Sequence, residues 1–288
     1  MLPLAVITMV YEDEFFLRIW LSYWERFIPR KNIYVLIHGN YEEHEAIAEG
    51  CNTIRVHRPP QTANSEINRW KMISGIASGL TYMFKKVIYT DVDEIITLDP
   101  KTGTDLVQHI LDLKNPVVSP FGLEVVDPIE LQLDPINDLA PILTQRPFFS
   151  IGMPYSKPCI ISTPTKWGSG GHFCDRQDIG LSDELFLFHL RLFDRNFYSD
   201  RANKRRAMVT DPETGKLIEG LGGPSWRRTD ELQKYAIDQH EPLKDISSEK
   251  DRRMWLDEAA LNEEGLWVRK GRLRKKLNHI PVRFMDLF

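Results

Sequence analysis

The chain has 288 residues, of which 42% are hydrophobic and 27% charged, so it is neither disordered nor collagen-like and can bury a large core. A net charge of -4 offers no general attraction for nucleic acid, and no nucleic-acid partner is expected. Three cysteines without paired spacing, no apolar run of membrane-spanning length and no basic leader point to a cytoplasmic location.

The first third alternates strand and helix. That pattern predicts a Rossmann-like α/β fold, a mainly parallel sheet with helices on both faces, because parallel neighbours need helical crossovers. Leu4 to Val10 is an apolar run suited to a strand buried on both sides. Phe15, Phe16, Ile19, Trp20, Tyr23 and Phe27 follow at helical spacing and stop before Pro29. A second strand over Asn32 to His38, a short helix over Glu42 to Glu49 closed by Gly50, and a third strand over Thr53 to His57 continue the alternation. Ser65 can cap a long helix reaching about Phe84, and Lys86 to Thr90 forms the fourth strand.

Asp91-Val92-Asp93-Glu94 comes directly after that strand, at the carboxyl edge where open α/β sheets bind ligands. Two aspartates one residue apart can both reach a divalent cation, Mn2+ or Mg2+, that neutralises a diphosphate. A solvated acidic turn is the alternative.

A helix over Thr104 to Leu113 and a strand over Pro116 to Phe121 come next. Asp127 to Pro147 holds four prolines and reads as an irregular flap or acceptor loop. Strands resume at Pro158 to Ser162 and at Leu185 to Leu192. Between them, the glycine-rich turn Gly168-Ser169-Gly170-Gly171 carries His172, which could donate to a phosphate or hydroxyl, beside Trp167. The last part is charged and helix-prone, with a hinge at Gly222-Gly223-Pro224, giving a main domain over 1–222 and a helical extension over 223–288.

Three segments resemble the GT-A glycosyltransferases, particularly bacterial proteins grouped near family 2 with an Asp-x-Asp-Glu metal motif. They are Thr8 to Glu14, Val87 to Glu94 and Phe188 to Arg191, and the resemblance spans roughly residues 4 to 195. It implies a GT-A fold and a nucleoside-diphosphate-sugar donor, with a glycan or glycolipid as acceptor. It also implies Asp91, Asp93 and His189 as metal ligands and Glu94 as a brace. Thr8, Val10 and Glu12 would lie by the nucleotide; Asn68, Arg69 and Lys71 would reach the sugar or diphosphate, with Asp91, Lys157 and His172 near the donor. For Glu12 and its acidic neighbours a helix N-terminal role is equally open, and for His189 so is a core role.

Inverting transfer, the preferred course, needs a base. Glu124, Asp127, Glu130, Asp183 and Glu184 are all candidates, with Asp127 first and Glu124 the alternative, because the family's later Glu-Asp pair is missing. Arg201 to Arg206 and Arg269 to Lys276 read as solvated helix faces, or as a peripheral contact with an anionic inner membrane surface. A phosphohydrolase of the haloacid dehalogenase type and a non-catalytic carbohydrate-binding protein are the rival functions.

Overall fold

A computed structural model describes residues 2–39, 42–211, 213–219, 221, 230–246 and 248–288. The first half follows the expected alternation. β1 (Leu2–Val10), α1 (Glu14–Trp24), β2 (Ile33–His38), α2 (Glu42–Ile47), β3 (Asn52–Val56), α3 (Ser65–Leu80) and β4 (Phe84–Tyr89) succeed one another. Their strands pair in parallel in the order β4-β1-β2-β3, with Ile7 opposite both Tyr34 and Tyr89. β1 is buried on both faces from Leu4 to Val10, which is why it reads as an uninterrupted apolar run. α1 buries Phe16, Trp20 and Trp24 against the sheet, each contributing about 2–3 kcal/mol by area.

The second half is more mixed. β5 (Glu94–Leu98), α4 (Leu106–Asp112), β6 (Val117–Val126), α5 (Ile142–Gln145), β7 (Phe148–Ile151), β8 (Ile160–Ile161) and β9 (Ile179–Leu192) extend the sheet chiefly through antiparallel pairs. β6 and β9 alone among these run parallel. α6 (Arg195–Met208) follows, and its N-cap Asp194 accepts hydrogen bonds from the backbone of Asn196 and Phe197. Phe15 of the α1 entry packs on Phe197 with ring centroids 4.4 Å apart, docking α6 beside α1.

The C-terminal part differs from the helical extension expected from the sequence. Its one α-helix among the described residues is α7 (Glu249–Asp257); β10 (Ala236–Pro242) precedes it, and β11 (Ala259–Leu261), β12 (Trp267–Arg269) and β13 (Lys276–His279) follow. β13 pairs with β7 and β10 with β13, so this segment lengthens the main sheet. Dense charge suggests helix there, but edge strands also carry charge on their exposed faces. The Gly222-Gly223-Pro224 hinge, and the boundary drawn at it, lie outside the described residues.

Candidate functional site

A cleft of ≈ 690 Å³ opens at the carboxyl ends of β1, β2 and β4. Parallel strands all end there, so the turns after β1 and β4 face one another across it. Thr90 closes β4 by accepting the Trp20 indole N–H at 2.8 Å, and its own N–H donates to Ile7. The chain then turns through Asp91 to Asp93, and Glu94 starts β5. Because β5 pairs with β9, and β9 with β6, His189 stands in register with both Glu94 and Glu124.

Each acid of the motif has a cationic partner. Lys157 Nζ lies 2.9 Å from Asp91 and 2.5 Å from Glu94. Arg201, from α6, lies 2.8 Å from Asp93 and 3.0 Å from Asp13. Burial opposes ionisation of Asp91 and Asp93, but Lys157 and Arg69 outweigh it at the first, Arg201 and His189 at the second, and both pKa values are lowered. Burial pushes Glu94 up to about 7 even beside Lys157. At His189 burial is outweighed by Glu124, 3.1 Å from Nδ1, and the pKa is raised.

The expected site residues divide. Val10, Glu12, Asn68, Asp91, Asp93, Lys157, His172 and His189 all line the cleft. Glu12, at φ 50°, is the one non-glycine residue with positive φ among the described residues, a strained backbone at the cleft mouth. Thr8 is fully buried inside β1 and does not line the cleft, so its side chain is no nucleotide contact. Lys71 is exposed on α3 and does not line the cleft; Arg69 and Glu66 line it from the same helix.

The two leading candidate bases, Asp127 and Glu124, are both committed elsewhere. Asp127 is buried and gripped by Arg195, whose Nη2 and Nε lie 2.7 and 2.8 Å from its two oxygens and whose backbone N–H adds a third bond at 3.0 Å. It does not line the cleft, so the geometry gives it no access to an acceptor. Glu124 is fully buried behind His189 and also faces Arg191 at 3.7 Å.

His172 differs from expectation in another way. Its Nδ1 lies 2.8 Å from the Pro154 carbonyl, which can only accept, so that nitrogen carries the proton. In the neutral ring Nε2 is then an acceptor and cannot donate to phosphate. Burial and then Lys157 lower its pKa to about 4, which keeps it neutral.

A divalent cation is the cofactor implied by the motif. Asp91, Asp93 and His189 offer suitable donor atoms, and His189 Nε2 is 3.9 Å from Asp93 Oδ2. Yet Lys157 and Arg201 hold the carboxylates, and among the described residues no group of three or more His, Cys, Asp or Glu side chains is arranged to hold a metal. The donors fit in kind and not in their present pairing.

Sequence reasoning misses Arg201, which reads as part of a solvated basic face. Its side chain is only 14% exposed. The available signal is its helical spacing from Phe197, which puts both on the inward side of α6. The second basic run is also largely engaged: Lys270 pairs with Glu258, Arg274 with Asp251 and Lys276 with Asp238. Among the described residues no helix is long and apolar enough to cross a membrane.

No family model matches the chain, and no curated protein matches it. Among the solved structures that match is the crystal structure of mannose-1-phosphate geranyltransferase from Thermus thermophilus. That alignment has 10% identity and a TM-score of 0.30, and covers 71% of this chain and 61% of that one. A likeness so slight carries no argument about this chain. The α/β, Rossmann-like character stands on the strand order itself.

Proposed function

We propose that the chain transfers a sugar from a nucleoside-diphosphate-sugar donor to a hydroxyl of a glycan or glycolipid, as the GT-A glycosyltransferases do. The observation that carries this reading is the Asp91-Val92-Asp93-Glu94 turn, set against Lys157 and Arg201 in a cleft at the carboxyl edge of the sheet. Such a transfer releases a diphosphate, and fixed cations around it lower the barrier as its charge grows. Lys157, Arg201 and Arg205 all line the cleft and can take that role.

Asp91, Asp93 and His189 would hold Mn2+ or Mg2+, which when bound supplies Lewis-acid neutralisation of the diphosphate. Lys157 and Arg201 must release their carboxylates for this, and the donor's phosphate oxygens are the partners they would take instead. Val10 and Glu12 would lie by the nucleotide, and Asn68, from α3, by the sugar or diphosphate.

Incubation with manganese and a panel of UDP-, GDP-, ADP- and CDP-sugars tests the reading. Slow, metal-stimulated release of nucleoside diphosphate is expected, falling roughly 10²–10³-fold in Asp93→Ala. Phosphate release from p-nitrophenyl phosphate instead would mark a phosphohydrolase. Glycan binding with neither activity would mark a carbohydrate-binding protein.

A further inference from the structure

The turn before His172 is built around its ring. Gly170 and Gly171 have φ of 73° and 67°, in the left-handed region that favours glycine. A Cβ on Gly171 would stand 2.6 Å from the Trp70 ring, and one on Gly170 would stand 2.4 Å from the imidazole Cδ2 and 2.6 Å from Nε2. Gly170 admits no side chain while the imidazole lies folded over its bare backbone, and Gly171 admits none while Trp70 packs against it. The Pro154 carbonyl fixes the ring from the other side and sets its tautomer. What is left is a positioned lone pair on Nε2, with no hydrogen-bond partner among the described residues, on a ring that lines the same cleft as Asp91, Asp93 and Lys157.

We propose that His172 is the general base of the transfer, its Nε2 taking the proton of the attacking hydroxyl; the assignment rests on the transferase reading above. In the step, the acceptor oxygen forms a bond to the anomeric carbon as its proton passes to Nε2. The bond from that carbon to the diphosphate oxygen breaks, and its electron pair leaves with the nucleoside diphosphate. The imidazolium then returns the proton to water. A single displacement of this kind inverts the anomeric centre.

The charged and titratable groups around the ring are Lys157, Asp91, His189 and Tyr155. Lys157 disfavours the imidazolium, and a bound diphosphate beside Lys157 offsets that effect as the proton arrives. With its pKa lowered to about 4, the ring has the basicity of a carboxylate and is unprotonated at neutral pH. Glu124 and Asp127, the carboxylates first expected from the sequence, are held by His189 and Arg195.

His172→Asn keeps an amide donor for the Pro154 carbonyl and removes the Nε2 lone pair. With UDP-glucose and GDP-mannose as probes and water as acceptor, nucleoside diphosphate release should fall roughly 10²–10³-fold, with the probe Kd within about threefold of wild type. The wild-type rate should decline on the acid side as Nε2 protonates, and that limb should vanish in the variant. Imidazole added to His172→Ala should restore part of the rate. A His172→Asn rate close to wild type with its acid limb intact overturns the assignment, as does a variant that loses only donor affinity. Failure of the wild-type chain to bind or hydrolyse any sugar nucleotide would instead remove the transferase reading, and this assignment with it.

Discussion

Helix α6 carries two arginines less than two turns apart that both pair with aspartate, and the pairs differ in what surrounds them. At the first turn Arg195 saturates Asp127, while Arg146 reaches the N-cap Asp194 at 2.6 Å, both members nearly fully buried. None of those four residues lines the cleft. Farther along, Arg201 is shared between Asp13 and Asp93 at the cleft wall. Burial keeps Asp13 raised to about 6 despite Arg201, and burial with the neighbouring Arg201 lowers Arg205 to about 10. The same chemistry therefore anchors the helix where the carboxylates are fully engaged away from the cleft, and leaves exchangeable charge at the cleft wall. A saturated pair resists any ligand, whereas a crowded one has something to gain from a diphosphate or a cation.

The largest effect should come from the saturated end. Arg146→Ala leaves the Asp194 carboxylate buried without its partner and should lower stability by about 3–5 kcal/mol in urea denaturation, with the folded fraction turning over normally. A loss under about 1 kcal/mol would mean that these pairs do not anchor α6. Asp127→Asn should cost less, about 1–2 kcal/mol, and leave kcat within about twofold. A fall of roughly 10²-fold or more in kcat would return Asp127 to the place of base.

The smallest stability change should come from Arg201→Ala, about 1 kcal/mol, since Asp13, already raised to about 6, can take up a proton when its cation is removed and Arg205 still favours the ionised Asp93. Its sharper signature is calorimetric. Without nucleotide, Mn2+ should bind roughly tenfold more tightly once the competing guanidinium is gone, while UDP or GDP should bind more weakly. Unchanged Mn2+ affinity would break the contrast between the two ends of the helix.

The parallel half of the sheet is legible because each of its elements announces itself locally. Leu4 to Val10 is apolar throughout since β1 is covered on both faces, α1 shows a helical stripe ending before Pro29, and Gly50, at φ 82°, closes α2. β5 and β7 are not legible, because Glu94 to Leu98 passes for the tail of a motif and Phe148 to Ile151 sits behind a proline-rich loop. Arg201 and Glu66 escape notice for a related reason: charge on a helix looks the same in sequence whether it faces water or a cleft.

The sequence alone determined that an acidic turn follows a buried strand at the carboxyl edge of a Rossmann-like sheet, and that a glycine-rich turn carries a histidine, because strand burial and glycine's backbone freedom are local properties. Only the tertiary structure decided which charges meet. Asp93 and Arg201 are 108 positions apart, and they are joined because β9 pairs with β5 and β6 and delivers α6 beside α1. The same long-range pairing withdrew Asp127 into an ion pair, put Glu124 behind His189, and brought His172 to the lining of the cleft. A pattern of residue types cannot carry that information, since hydrogen-bond partners are set by the packing of segments far apart in the chain.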